Sequence, residues 1–250
     1  MPDGQPVLII GGTRGTGLLI ARVLHREGTR IRVLARNLAR ARRAFGPDVE
    51  VLSGDLARTE TLGQAVAGVR DIIFTAGCRS GRPATEARIR TVEYEGVVRS
   101  LAAARATGFV GRFMYMTASG ATRPSLLSTA LNLYKGNTLH WRREAETAIR
   151  GSQIDYTIIR TGILRNQPGG QRPIHLTQAP LPLSFRYQIA RADVAAVFAA
   201  ALVEPLASRA TFEVVWADSH HPSQPLSTLL KRLKSDAEIR NTKHASEAHL

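Results

Sequence analysis

Residues Val7–Gly17, VLIIGGTRGTG, join a continuous apolar run to a glycine-rich turn, and the turn feeds at once into LLIARVLHR, where apolar positions recur with a helical period. An apolar strand that ends in glycines and opens a helix constrains this chain more than any other segment. It leaves backbone N–H groups and the positive end of a helix dipole facing out of the turn, an arrangement that holds a phosphate. Gly11 is expected to permit the tight turn, Gly15 to let a phosphate approach the backbone, and Gly17 to let the helix pack closely on the sheet, with Thr13, Arg14 and Thr16 completing the turn. The rival triphosphate loop requires Gly-Lys-Ser/Thr at its end, and here Gly17 is followed by Leu18.

The same alternation runs on. Strands are expected at Val7–Gly11, Arg30–Ala35, Val49–Leu52, Asp71–Thr75, Arg112–Thr117, Tyr156–Arg160 and Thr211–Val215. Helices are expected to start near Gly15, Leu38, Thr59, Thr85, Thr129, Arg191 and Ser223. Runs such as VLII, DIIF and YTII are apolar throughout rather than alternating, so both faces of the sheet are expected to be buried. That pattern predicts an α/β fold: a doubly wound parallel sheet with helices on both faces. Residues 1–240 are read as a single domain. Residues 162–186 carry four prolines and little periodicity, and are expected to form a loop or lid with one or two short strands over the carboxyl ends of the sheet. The polar, aperiodic segment 241–250 is expected to be a flexible tail.

Charge is the unusual part of the composition. The net charge is +14, and only Lys135, Lys231, Lys234 and Lys243 of the 34 basic residues are lysines. The arginines are scattered, with no run longer than two, so a solvated basic surface is favoured over a nucleic-acid patch, and anionic small molecules are attractive partners. The single cysteine, Cys78, excludes an internal disulfide, and no Cys/His cluster has metal-ligand spacing, so no metal is expected. The opening MPDGQP lacks the layout of a secretory leader, and the longest apolar run, Val194–Val203, is about half of the ~20 residues that span a bilayer. A cytoplasmic protein without membrane contact is expected, with the oligomeric state open.

GGTRGTG resembles the Gly-x-x-x-Gly-x-Gly turn of the short-chain dehydrogenase/reductase superfamily, a Rossmann-type fold, and further matches follow in order. VLSGDL (51–56) is similar to the third-strand motif, which implies that Asp55, with Leu56 beside it, contacts an adenine ring. TAG (Thr75, Ala76, Gly77) resembles the end of the fourth strand that lines the cofactor. TVEYEGV (91–97) resembles the start of the fourth helix. IDYTIIRTG (154–162) with ARADVA (190–195) resembles the sixth strand and following helix of the atypical, NAD(P)H-binding branch, which includes NmrA-like and biliverdin/flavin reductase-like members. The implied cofactor is a nicotinamide dinucleotide. A carboxylate at the end of the second strand usually binds the ribose 2′-OH of NAD, but IRVLARN ends in Arg36-Asn37; with Arg14 inside the turn, the expected cofactor is NADP(H).

The catalytic pattern departs from that family. A serine after the fifth strand and Tyr-x-x-x-Lys on the next helix are usual, because i, i+4 spacing stacks the ammonium beside the phenol and lowers its pKa. Here MTASGA places Thr117 and Ala118 at the usual serine positions and Ser119 one step later, while Thr138 takes the tyrosine position and Arg142 the lysine position. Tyr134 is one turn earlier, with Lys135 projecting about 100° away from it. Thr117, Ser119, Tyr134 and Arg142 are therefore the catalytic candidates, and Arg160, at the end of the sixth strand, is a candidate ligand contact. Three classes stay open. The first is a reductase moving hydride from NADPH to a small organic acceptor, with the proton drawn from water. The second is an NADP-binding redox sensor without turnover, and the third an assembly or RNA-associated scaffold.

Overall fold

A computed structural model of the chain describes residues 4–78, 85–218 and 222–247. In chain order the first half comprises β1 (Val7–Ile10), α1 (Gly15–Arg26), β2 (Ile31–Ala35), α2 (Leu38–Phe45), β3 (Glu50–Ser53), α3 (Thr59–Val66), β4 (Asp71–Phe74), α4 (Glu86–Arg90), a π turn over Thr91–Glu95, and α5 (Gly96–Ala106). The second half comprises β5 (Arg112–Ala118), α6 (Leu126–Tyr134), α7 (Thr138–Arg150), β6 (Asp155–Thr161), β7 (Ile163–Arg165), β8 (Ile174–Thr177), β9 (Gln188–Ala190), α8 (Arg191–Val203), β10 (Ala210–Trp216), α9 (Leu226–Leu230) and α10 (Asp236–Glu247). The main sheet has the order β3-β2-β1-β4-β5-β6-β10-β8, parallel except for β8, and β7 pairs with β9 in a small parallel sheet. This is the expected Rossmann-like α/β architecture, and each expected strand is present within a residue or two of its expected bounds.

The pleat explains why VLII carries no polar alternation. Val7 and Ile9 face one core with Ile20 and Leu24 of α1 and Val194 and Phe198 of α8; Leu8 and Ile10 face the other with Leu62 of α3, Val97 and Leu101 of α5 and Ile149 of α7. Each such fully buried side chain contributes about 1.5–3 kcal/mol relative to exposure. Among the described residues no helix is long and apolar enough to cross a membrane.

Three expectations need correction. The helix expected from Thr129 is two helices, because Gly136 (φ 48°) and Asn137 (φ 57°) turn the chain left-handed between α6 and α7. Both are residue types that tolerate this conformation. Residues 162–186 are only partly a lid: Leu181 and Leu183 pack against the Gly120 turn beyond β5, but β8 joins the main sheet as its antiparallel edge. The supposed tail from Asn241 is, as far as Glu247, the second half of α10. The helix starts at a Ser-x-x-Glu box: the Ser235 N–H donates to Glu238 Oε2 (2.7 Å), and the Glu238 N–H donates to Ser235 Oγ (3.2 Å).

Asp236 ties that helix to the sheet. Its carboxylate accepts from Thr211 N (2.9 Å) and Oγ1 (2.7 Å), Tyr156 Oη (2.9 Å) and Arg150 Nε (3.1 Å). Burial and then the carboxylate push the Tyr156 phenol up to about 12. Asp236→Ala removes an ionised acceptor from four donors and is expected to cost about 2–3 kcal/mol. For a chain of this size that corresponds to a thermal midpoint lowered by about 5–10 °C. An unchanged midpoint in calorimetry contradicts this anchoring role.

Candidate functional site

The strand order reverses between β1 and β4, since the chain leaves β1 toward β2 and β3 and returns on the other side as β4. In open α/β sheets ligands bind at such a switch point, outside the carboxyl ends of the strands. Gly11 (φ 91°) comes so close to the end of β4 that a Cβ on it would stand 2.6 Å from Ala76 N and 2.8 Å from Ala76 Cα. A Cβ on Gly17 would collide with Thr75 Oγ1 and the Gly11 carbonyl. Thr75 closes the contact, its N–H and hydroxyl both donating to Ile10 O at 2.8 and 3.2 Å. Gly15 is left-handed (φ 55°), and the space above it is open except for Arg191 Nη1, 3.9 Å from where a Cβ would sit.

The start of α1 fits an anion. Arg14 is its N-cap residue and makes no side-chain cap, and the first turn holds no acidic residue. Its first N–H groups are therefore left for an external acceptor. Arg14 itself is exposed and donates to Gly77 O at 3.3 Å. Arg36 is exposed just beyond β2, and Asn37 caps α2 by accepting from Arg40 N at 2.8 Å. Asp55 Oδ1 accepts from Ala57 N at 3.1 Å, and Leu56 packs on Gly96, where a Cβ would lie 3.0 Å from Leu56 Cδ1. The expected cofactor residues thus stand at the carboxyl ends of β1, β2, β3 and β4.

The catalytic candidates separate. Arg142 Nε donates to Glu93 Oε2 at 3.0 Å and Nη1 to Met116 O at 3.3 Å; Thr138 Oγ1 donates to Glu93 Oε2, and Cys78 N to Glu93 Oε1 at 2.9 Å. Glu93, fully buried, is placed by the π turn, a helix irregularity common at functional sites. Burial raises its pKa, but Arg142, Lys135 and the hydrogen bonds from Thr138 and Cys78 outweigh it and hold the carboxyl below its usual range. Thr117 Oγ1, 1% exposed, has no partner of good hydrogen-bond geometry, the neighbouring Tyr115 hydroxyl donating instead to Glu93 O at 3.4 Å. It is a buried polar atom beside the Tyr115 hydroxyl.

Ser119 and Tyr134 lie apart from this group. Ser119 is buried and donates to Glu213 Oε2 at 2.6 Å; Tyr134 is 84% exposed at the end of α6. Arg160 belongs to the same buried network as Ser119, pairing with Glu146 Oε2 at 2.6 Å and Glu213 Oε1 at 3.5 Å, so it binds the fold together rather than facing a ligand. Sequence reasoning missed Glu93, Lys135 and Arg191. Lys135 lies within electrostatic range of Glu93, and burial lowers its pKa, Glu93 opposing and Arg142 reinforcing that shift. Glu93 stands inside TVEYEGV, which carries two carboxylates, Glu93 and Glu95, and nothing in the segment tells which of them is buried.

A glycine turn at a sheet's switch point and a helix start without a side-chain cap are the marks of a dinucleotide-binding fold. Residues 11–205 match the family model described as NAD(P)H-binding, and the chain belongs to that family. Protein TIC 62, chloroplastic, of Pisum sativum is 25% identical over 93% of this chain, and the chain spans about half (47%) of that protein's length. A putative NAD-dependent epimerase/dehydratase from Bacillus halodurans superposes with a TM-score of 0.77 at 20% identity, covering 92% of this chain and 100% of that one. ChuY of Escherichia coli O157:H7, described as an anaerobillin reductase, superposes with a TM-score of 0.71 at 21% identity, covering 88% and 100%.

Removing one member of the Glu93–Arg142 pair strands the other in a buried setting. Glu93→Ala and Arg142→Ala are each expected to cost about 3–5 kcal/mol, and the double variant less than their sum. Because the Glu93 carboxyl is held below 4.5, its contribution is complete above that pH and is lost as the pH falls through the folded-state value. The stability gap between wild type and Glu93→Gln, from urea titrations, is expected to be flat above about pH 5.5 and to shrink below pH 4.5. A gap that widens in acid contradicts the assignment.

Proposed function

We propose that the chain is an NADP(H)-dependent reductase that passes hydride to a small, flat organic acceptor of the flavin, quinone or carbonyl type without a side-chain acid. When bound, the reduced nicotinamide supplies the hydride. The chain's own groups bind and orient. The N–H groups of the Gly11–Gly17 turn would hold the pyrophosphate, Arg14 and Arg36 the 2′-phosphate, Asp55 and Leu56 the adenine end, and Thr75, Ala76 and Gly77 the nicotinamide end.

The observation that carries the reading is the pairing of Arg142 and Thr138 with Glu93 at the positions where relatives in the superfamily keep a titrating tyrosine and lysine. Arginine stays protonated, and a carboxyl held below its usual range stays ionised, so neither donates a proton near neutral pH. An acceptor whose reduced form takes its proton from water suits such a site. Exposed Leu126, Leu133, Tyr134 and Phe185 leave apolar surface on α6 and the segment before β9, in keeping with an apolar acceptor. The description of ChuY as a reductase supports the same class.

NADPH preference rests on Arg36, since no carboxylate stands at the end of β2. Titration is expected to show NADPH binding tighter than NADH in the wild type. Arg36→Ala should weaken NADPH about 10- to 100-fold, the scale of a lost charged hydrogen bond, and leave NADH within about threefold. Equal affinities in the wild type contradict the 2′-phosphate assignment. On the same samples, a panel of flavins, quinones and carbonyl compounds should show steady NADPH oxidation. Tight binding without turnover for any acceptor would instead make the chain a redox sensor.

A further inference from the structure

Arg191 is the first residue of α8, and α8 packs on α1 through Val194, Phe198, Ile20 and Leu24, which brings the starts of the two helices side by side at the glycine turn. Its guanidinium bridges two neutral groups. Nη1 donates to Thr16 Oγ1 at 3.2 Å, and Nε donates to Asn166 Oδ1 at 2.9 Å. Thr16 is itself buried in the first turn of α1. The same Nη1 is the atom that stands 3.9 Å from where a Cβ on Gly15 would be, at the open side of the turn.

The setting differs from that of Arg142 and Arg160. Arg142 is matched by Glu93, and Arg160 by Glu146 and Glu213. Arg191 forms no ion pair with any carboxylate among the described residues, and burial alone, with nothing opposing it, brings its pKa below the usual arginine value. A guanidinium carries five N–H donors in a planar fork, and two are engaged here by neutral oxygens. A half-buried cation with donors to spare, held beside an uncapped helix start and a left-handed glycine, suits an anionic oxygen such as that of a phosphate.

We propose that Arg191 is a pyrophosphate-binding residue: its guanidinium, reaching over Gly15 from a second helix, takes an oxygen of the diphosphate bridge of the dinucleotide. The inference rests on the proposed dinucleotide function and adds a contact from the far half of the chain, so that the site is closed by residues 175 positions apart, Thr16 and Arg191. It assigns Asn166 the role of holding the fork in place.

The test is titration of NADP⁺, NAD⁺ and inorganic pyrophosphate into wild type, Arg191→Ala, Arg191→Lys and Asn166→Ala, with the thermal midpoint of each ligand-free protein measured alongside. Because both dinucleotides share the pyrophosphate, Arg191→Ala is expected to weaken NADP⁺ and NAD⁺ by the same factor, about tenfold or more, and to abolish the rise in midpoint that pyrophosphate gives the wild type. Arg191→Lys should recover part of the affinity, since it keeps the charge and loses the fork. Should the alanine variant fail to fold, the lysine variant carries the comparison, with a loss of several-fold expected for both dinucleotides. A lowered midpoint with unchanged affinities for both dinucleotides overturns the proposal and makes Arg191 a structural strut. A loss confined to NADP⁺ overturns it too, by placing the arginine on the 2′-phosphate. If the wild type binds neither dinucleotide, the proposed function fails; the pyrophosphate arm then decides, an Arg191-dependent midpoint shift retaining the anion site and its absence overturning it.

Discussion

The approach of the β1–α1 turn to the end of β4 is the constraint on which the rest of the site depends. Gly11 and Gly17 lack the side-chain atoms that would hold the two segments apart, and Thr75 fastens them through Ile10 O. Substituting either glycine forces the helix off the sheet or the turn off the strand. With the contact made, α1 starts directly over the switch point of the sheet, where its unpaired N–H groups face the crevice. Everything assigned to the cofactor, including Arg14, Arg36, Asp55 and the Thr75–Gly77 segment, is positioned relative to that contact.

Beside this binding half is a half that has exchanged chemistry for charge balance. The π turn puts Glu93 into the space between α7 and the end of β5, where Arg142, Thr138 and the Cys78 N–H converge on it. A buried pair with every oxygen satisfied is rigid and does not titrate near neutrality. In the proposed reading, a site built this way orients and leaves the proton to water. A second buried network, Arg160 with Glu146 and Glu213, continues through Arg150 to Asp236 and secures α10.

Much of the fold was legible because burial on both faces and short connections leave strong marks: VLII, DIIF and YTII are apolar runs of strand length, and the glycine turn names its own role. The break after Tyr134 was written in Gly136-Asn137, and the start of α10 in Ser235-Asp-Ala-Glu238, but both compete with a polar surrounding that reads as loop or tail. The edge strand β8 was obscured by the prolines on either side of it, which belong to the turns and not to the strand. For the site, the residues of the turn could be assigned because backbone geometry dictates them. Ser119, Arg160, Glu93 and Arg191 could not, since whether a polar side chain faces a carboxylate or a crevice is decided by partners 14 to 175 residues away.

The central claim is that the crevice at the carboxyl ends of β1 to β4 is where the dinucleotide binds. Amide hydrogen exchange with and without NADPH tests it most directly, because the N–H groups involved are the ones being counted. Strong protection confined to peptides spanning Gly11–Gly17 and Thr75–Gly77, with a smaller effect at Arg36–Asn37, is predicted. Protection elsewhere with those peptides unchanged, or no protection at saturating NADPH, contradicts the account.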